Sequence, residues 1–200
     1  MKKTIFTKVF VAFLLLIGLL STVILLYSFS TIRTHYIETL TNNLQNLATT
    51  LLLKVTPLYG ESRFDQLDSV VKKLGNEINT RITVIDEKGV VVADSEKDPG
   101  MMENHKFRPE ILQVLQGELG ASLRFSTTVK EEMLYVALPI EESGKTAGVL
   151  RVSLFLKDIN TLINSLKRNI LFSALIIALI SLLGALILSL IHISEPTRRA

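Results

Sequence analysis

The chain has 200 residues, 48% of them hydrophobic, with no cysteine and a formal net charge of +3 at pH 7. That charge comes from the two ends of the sequence, because residues 33–168 carry 17 basic and 18 acidic side chains. A central segment so close to neutral argues against nucleic-acid binding, which needs a concentrated basic surface. Without cysteine there are no disulfides, so a domain in this segment must be stabilised by its core.

Two long apolar runs, one near each end, are the main feature of the sequence. The first, Val9 to Ile32, contains 24 residues and no charge, and the second begins at Asn169 and has no charge before Glu195. A helix of about 20 apolar residues crosses a hydrocarbon core about 30 Å thick. We therefore predict transmembrane helices at residues 9–32 and 169–187, with a domain at residues 33–168 between them.

The orientation of the domain follows from the basic residues before the first run. Lys2, Lys3 and Lys8 lie in an amino-terminal tail, residues 1–8, that contains no acid. Short basic flanks stay on the cytoplasmic side, so the domain is expected outside the cytoplasm. The alternative is a cleaved signal peptide, but the first run is longer than the apolar core of a signal peptide and no clear A-x-A site follows it.

The end of the chain reads as a segment of different origin. From Leu188 the sequence is LSLIHISEPTRRA, and residues 188–199 correspond to the translation of a transposase-derived sequencing adapter. We therefore expect a different natural sequence after Ile187 and leave residues 188–200 out of the fold prediction. The alternative is a natural segment in which Arg198 and Arg199 anchor a helix at the membrane surface.

The first helix of the domain is expected to continue from the apolar run as far as Pro57. Between residues 33 and 56 the apolar side chains recur at steps of three and four, which places them on one helical face. That face is either the seam of a homodimer or the surface that packs on the domain itself. For the seam we predict Leu40, Leu44, Leu47 and Leu51.

Beyond Pro57 the sequence pattern is first helical and then typical of strands. Alternating and β-branched runs, separated by short polar turns, predict antiparallel hairpins. We expect an α+β domain in which an antiparallel five-stranded sheet carries long N-terminal helices on a face. The predicted helices are Arg63–Asn79, Arg108–Gln116 and Lys157–Asn169, and the predicted strands are Arg81–Asp86, Val90–Asp94, Leu123–Val129, Met133–Ile140 and Val149–Leu156.

Short motifs within these elements carry a resemblance to a known class of proteins. The order of elements resembles the extracytoplasmic PAS-like, or single Cache, sensor domain of bacterial receptors. Over residues 1 to about 187, the motifs resemble the front end of phosphate-regulon-type sensor histidine kinases. The motifs are Arg81–Asp86, Val92–Ser95, Asp98-Pro99, Met102–His105, Arg108–Glu110, Met133–Ala137 and Gly148–Val152.

The resemblance implies the input half of a two-component system in a bacterial plasma membrane. In such proteins a cytoplasmic kinase uses ATP and magnesium to phosphorylate its own histidine and then a response regulator, and the receptor is a homodimer. This sequence has no Gly-rich ATP lid and no His-Glu-x-x-Arg-Thr-Pro box, so we predict no catalytic residue and no cofactor in this chain. The alternatives are the front end of a chemoreceptor or a diguanylate cyclase, or a membrane interaction protein without catalysis.

In PAS-like folds the segment between the second strand and the short helix lines a ligand pocket, which implies a site here. Glu103, His105 and Arg108 lie in that segment and could read an anion or a proton, since histidine titrates near neutral pH. Arg124 and Tyr135, on neighbouring strands, complete the predicted ligand-binding set. The alternatives are that His105 only shapes a turn, and that Arg124, like Arg151, only solvates the outer face of the sheet.

No metal site is predicted. His35 and His105 are far apart in the sequence, and there is no cysteine to join them. The acids Asp94, Glu96, Asp98 and Glu103 are close enough in sequence for a weakly held divalent cation, an alternative that stays open. For Asp94 we expect local turn hydrogen bonds instead.

Overall fold

The computed structural model describes residues 5–126 and 131–194. The chain divides into two units at Lys157, and the sheet with its covering helices lies in the first. The helices are α1 (Ile5–Gly60), α2 (Phe64–Ile78), α3 (Pro109–Leu115) and α4 (Lys157–Ser194), with a 3-10 turn at Pro99–Met101. The strands are β1 (Arg81–Asp86), β2 (Val91–Asp94), β3 (Gly120–Ser126), β4 (Glu131–Glu142) and β5 (Lys145–Phe155).

The sheet confirms the predicted α+β class. Its five strands have the order β2-β1-β5-β4-β3, and every neighbouring pair is antiparallel. Arg151 on β5 lies opposite Thr83 on β1 and Ala137 on β4. Because side chains alternate along a strand, Arg151 shares one face of the sheet with Tyr135 and Arg124.

Both faces of the sheet are covered by helices. α1 and α2 pack on the sheet, and α3 contacts β3, β4 and β5. On the face shared with Arg151, α3 contributes to an apolar cluster formed by Ile85, Val91, Ile111, Val114, Ala137 and Val149. The sequence pattern predicted that the apolar side chains of β4 lie on one face of the strand, and likewise for β5. The centre of each strand is instead buried on both faces, because a helix covers each side.

α1 is one helix of 56 residues that joins the first predicted transmembrane helix to the first helix of the domain. The predicted stop at Pro57 is wrong, since Pro57 lies inside the helix, which ends at Gly60. Proline has no backbone N–H, so one hydrogen bond of the last helical turn is missing. Because Pro57 is exposed, the turn forms without that hydrogen bond. Ser62, with φ of 54°, then turns the chain towards α2.

Two of the described helices are long and apolar enough to cross a membrane. The candidate segments are Val11–Gly60 within α1 and Thr161–Gly184 within α4. α4 also merges the predicted helix at residues 157–169 with the predicted second span at residues 169–187. Length and composition therefore allow two crossings, and the crossing itself remains a prediction.

The seam predicted on α1 needs a correction. Leu44 and Leu51 are each 5% exposed, while Leu40 and Leu47 are half-buried. Since α1 packs on β4 and β5, Leu44 and Leu51 belong to the core of their own domain and are not available to a second copy. An apolar stripe marks the covered face of a helix without showing which chain covers it. Homodimer formation remains a prediction without these two residues.

The C-terminal strands differ from the prediction in their limits. β3 was predicted at Leu123–Val129 but begins at Gly120 and ends at Ser126, and residues 127–130 lie outside the described part of the chain. Gly120-Ala121-Ser122 has no apolar alternation, yet it pairs with the middle of β4. Of the predicted adapter segment, residues 188–194 continue α4 and residues 195–200 lie outside the described residues, so its origin remains a prediction.

Candidate ligand-binding site

A cavity of about 270 Å³ lies beside α3 on the sheet face that carries Arg151. Strands β1, β3, β4 and β5 supply one wall, and the segment between β2 and α3 supplies the other. The lining residues are Arg81, Lys97, Met101, Met102, Glu103, His105, Arg108, Arg124, Ser126, Tyr135 and Arg151.

All five residues of the predicted ligand-binding set line this cavity: Glu103, His105, Arg108, Arg124 and Tyr135. Their role in binding remains a prediction, but the structure brings them to one place. Arg151, for which a solvated position was an open alternative, is only 3% exposed and also lines the cavity. Met102 belongs to the segment that was expected to line a pocket, while Arg81, Lys97, Met101 and Ser126 were not predicted as lining residues.

A buried carboxylate holds two of the cavity's guanidinium groups. Oε1 of Glu110 accepts hydrogen bonds from Nη2 of Arg124 at 3.2 Å and Nη1 of Arg151 at 3.3 Å. Glu110 is fully buried in the first turn of α3. Burial acts to raise its pKa, but the charges of Arg151 and Arg124 outweigh burial and hold the pKa of Glu110 below its usual value. α3 is therefore tied to β3 and β5 by an ion pair that stays charged at neutral pH.

A second buried carboxylate, Asp94, extends this network across β1 and β2. Arg81 contacts both oxygens of Asp94, each at 3.2 Å, and reaches Glu96 at 3.5 Å. Thr83 donates to Oδ2 of Asp94 at 2.8 Å and accepts from Nη2 of Arg151 at 3.1 Å. The expected turn bonds are confirmed, because Oδ1 of Asp94 accepts the amides of residues 96 and 97.

The ring of Tyr135 is stacked with cations in the wall of the cavity. The guanidinium carbon of Arg124 lies 4.0 Å from the ring centre, and that of Arg151 lies 5.2 Å from it. Cations are attracted to the face of an aromatic ring within about 6 Å. Tyr135 is itself only 5% exposed, so its ring contacts both guanidinium groups in the interior of the domain.

Several buried polar atoms of this network have no hydrogen-bond partner among the described residues. They include Nε of Arg124, Nε of Arg151, Nδ1 of His105 and Oε2 of Glu110. A buried donor without a partner costs about 1–3 kcal/mol. The two arginine side chains that carry these donors also line the cavity, but the donor atoms themselves are buried.

His105 is held neutral by its surroundings. Burial, followed by the positive charge of Arg151 and then of Arg108, lowers its pKa to about 4, with Arg81 acting in the same direction and Glu110 opposing them. Its amide donates to the carbonyl of Gly89 at 2.8 Å, which fixes the loop at this end of the cavity. The predicted turn-shaping role and the predicted lining role are therefore both compatible with its position.

Acidification should destabilise the domain between pH 6.5 and about 4. An unfolded chain protonates His105 near pH 6.5, whereas the folded domain protonates it near pH 4. In that window the unfolded state binds more protons, so stability is lost as the pH falls. We expect the thermal unfolding midpoint of the full chain to fall less steeply over this range in His105→Gln than in the wild type. His35→Gln is the matched control, because the His35 side chain is 82% exposed; an unchanged slope in His105→Gln would contradict the prediction.

Three of the four acids considered for a divalent cation, Asp94, Glu96 and Asp98, have other partners. Asp94 is bound by Arg81, and Asp98 accepts the amide of Gly100 at 3.0 Å. Among the described residues no group of three or more histidine, cysteine or acidic side chains is arranged to hold a metal ion.

Comparison with known proteins identifies the domain. Residues 58–154 match the family model described as single Cache-like. The sheet and its helices form a single Cache-like domain. The match covers all of the sheet except Phe155, the last residue of β5, and it includes α2, α3 and the last three residues of α1.

Solved structures that are similar to this chain include sensor domains of bacterial receptors. The sensory domain of the Campylobacter jejuni chemoreceptor Tlp3 with isoleucine bound is 18% identical, with a TM-score of 0.53 over 64% of this chain and 56% of that chain. The sensor domain of the Vibrio cholerae histidine kinase DctB is 17% identical, with a TM-score of 0.47 over 62% of this chain and 59% of that chain. A putative sensory box/GGDEF family protein domain from Vibrio parahaemolyticus is 12% identical, with a TM-score of 0.45 over 64% and 60%.

The chain spans less than two thirds of each of these solved chains. The likeness to the Tlp3 sensory domain, with its TM-score of 0.53, shows the fold alone. No curated protein sequence matches the chain.

Proposed function

We propose that this chain is the input half of a two-component sensor histidine kinase in a bacterial plasma membrane, with its Cache-like domain outside the cytoplasm. The observation that carries the proposal is the position of this domain between two helices that are long and apolar enough to cross a membrane. The motif resemblance to phosphate-regulon-type kinases supports a kinase as the output. ATP and magnesium would act in the cytoplasmic kinase domain and not in the segment described above.

The chain connects the candidate site to a predicted span through very few residues. Arg151, which lies on β5, lines the cavity. This strand ends at Phe155, and α4 begins at Lys157. A ligand that favours one of two packings of the sheet would shift the populations of both. A coupling free energy of about 1–3 kcal/mol would shift the equilibrium between the two packings about 5- to 150-fold.

The proposed partners are a second copy of the chain, the bilayer and a cognate response regulator. Because Leu44 and Leu51 are buried in their own domain, a homodimer contact on α1 would use the exposed side of the helix, where Leu53 is 78% exposed. A chemoreceptor output is the second candidate, since the fold is shared with the sensory domain of Tlp3. A sensor kinase and a chemoreceptor would differ in the cytoplasmic domain that is attached to the Cache-like domain.

The topology of the chain tests the proposal. An alkaline phosphatase inserted after Gly144, in the exposed turn between β4 and β5, should be active because it would lie outside the cytoplasm. The same enzyme fused before Met1 should be inactive. The matched control is a reporter that works only in the cytoplasm, placed at the same two positions, which should give the opposite result. Phosphatase activity at the amino terminus but not after Gly144 would overturn the proposal.

A further inference from the structure

We propose that the end of the sheet that carries Phe125 and Phe155 rests on the bilayer surface from which α1 emerges, and that both rings enter the layer of lipid headgroups. This contact with a lipid surface goes beyond the proposed function. It depends on that function in one respect, which is that the apolar half of α1 crosses the membrane.

The end of the apolar run on α1 sets the depth of Arg33. The run from Val9 to Ile32 contains 24 residues without charge, and Arg33 is the first charged residue after it. A helix of that length extends over about 36 Å, compared with about 30 Å for the hydrocarbon core and about 40–45 Å for the bilayer with its headgroups. A centred run therefore places Arg33 within the headgroup layer.

An ion pair holds one end of the sheet at the same level. Nη2 of Arg33 lies 3.4 Å from Oε2 of Glu132, near the start of β4. Phe125 on β3 lies opposite Glu132. Phe155 on β5 lies opposite Met133, the next residue of β4. Neighbouring residues of a strand are about 3.3 Å apart, so the two phenylalanines lie at nearly the same distance from the end of the apolar run.

Both rings are exposed, and they lie on opposite faces of the sheet. Phe125 is 58% exposed and Phe155 is 38% exposed. Phe125 shares the face of Glu132, whereas Phe155 shares the face of Met133, because successive side chains of a strand point to opposite sides. Apolar side chains such as phenylalanine are buried at the boundary between headgroups and acyl chains. Two exposed rings on the two sides of one end of the sheet therefore fit a lipid surface.

The charged side chains near these rings are paired with one another. Arg33 pairs with Glu132, and Nζ of Lys157 lies 3.5 Å from Oε1 of Glu131. These four side chains carry two positive and two negative charges, so together they give no net attraction to anionic lipid. The contact is therefore expected on a zwitterionic bilayer, where burial of apolar area is the driving force.

Tryptophan fluorescence of the full chain in phosphatidylcholine nanodiscs tests the contact. The chain contains no tryptophan, so a single substitution supplies one reporter. Phe125→Trp and Phe155→Trp replace one exposed aromatic ring by another and should leave the fold intact. Each variant should lose fluorescence when the lipid carries a nitroxide just below its headgroup. The emission of each should also shift to shorter wavelength when the chain is moved from detergent-free unfolding conditions into nanodiscs, because the indole ring leaves water.

Phe107→Trp is the matched control. Phe107 is 81% exposed, more than either ring at the proposed contact. It lies two residues after His105, whose amide donates to the carbonyl of Gly89 in the turn that follows β1. The end of β1 lies opposite Gly148, seven residues before Phe155 on β5, which is about 23 Å along the strand. The fluorescence of Phe107→Trp should therefore be unchanged by the nitroxide lipid.

Leu20→Trp, near the middle of the apolar run, separates failure of the contact from failure of the span. It should be quenched by a nitroxide at the far end of the acyl chain. If it is, and Phe125→Trp or Phe155→Trp is not quenched by the shallow nitroxide, the contact is overturned and the proposed function stands. Equal quenching of these two variants and Phe107→Trp would also overturn the contact. Leu20→Trp without quenching would overturn the span, and with it both proposals.

Discussion

Replacing Asp94 by alanine should destabilise the Cache-like domain by about 3–5 kcal/mol, because it leaves Arg81 buried without its main partner. The Arg81 side chain is 8% exposed and makes both of its short contacts with Asp94. The substitution also removes the acceptor for Thr83 and for the amides of residues 96 and 97. Hydrogen exchange of the β1 amides in the full chain should show a loss of protection of over a hundredfold, at about 1.4 kcal/mol for each tenfold change.

Asp98→Ala is the matched control for this result. Asp98 is also an acid whose side chain accepts a backbone amide, that of Gly100, but it is exposed and forms no ion pair among the described residues. Its loss should therefore cost about 1 kcal/mol, the usual value for a capping residue. Equal protection of β1 in the two variants would mean that the Arg81–Asp94 pair contributes no more than a local turn.

Replacing Gly120 by alanine should move α3 away from the sheet. A Cβ atom at residue 120 would lie 2.1 Å from the carbonyl oxygen of Glu110 and 2.9 Å from Cβ of Ala137. The first neighbour is backbone and cannot rotate away, so the helix itself has to shift, at a cost of about 1–3 kcal/mol or more. Since Glu110 would move with α3, the contacts with Arg124 and Arg151 should weaken as well. Exchange of the α3 amides should rise.

Gly100→Ala is the control for Gly120→Ala. A Cβ atom at residue 100 meets only Oδ1 of Asp98 at 3.5 Å, an ordinary contact. We expect its exchange profile to match that of the wild type within error. If Gly120→Ala also left α3 protected, the close packing of α3 against β3 would be contradicted.

Local patterns predicted the elements because the residues that form them are close in sequence. The β-branched run Arg81–Asp86 gave the limits of β1, and the helical period gave α2 to within one residue at each end. The short helix was found from Pro109, which suits the first turn of a helix, and the structure places it at Pro109–Leu115. The start of β3 was missed because Gly120 and Ser122 carry no apolar signal and are held by pairing with β4.

The wall of the cavity could be predicted only in part. The segment Glu103–Arg108 was found from the resemblance to PAS-like folds, in which this region lines the ligand pocket, and all three of its candidates line the cavity. Glu110 was not found, since an acid in the first turn of a helix usually faces solvent, and here it is fully buried. The pairing of Arg81 with Asp94 depends on the register of β1 with β2, in which Thr83 lies opposite Asp94. No local rule supplies that register.

Because α1 is one continuous helix, the number of residues in its apolar half sets the rotation of the domain about the helix axis. Each residue of an α-helix advances the chain by about 1.5 Å and rotates it by about 100°, so α1 with its 56 residues extends over about 84 Å. Leu44 and Leu51 are buried and fix the rotation of α1 relative to the sheet. Since the helix is continuous, they also fix the direction in which each residue of its apolar half faces. One residue gained or lost before Arg33 would leave all contacts within the Cache-like domain intact. It would nevertheless rotate the whole domain by about 100° about the axis of α1, relative to the part of the helix that precedes the change.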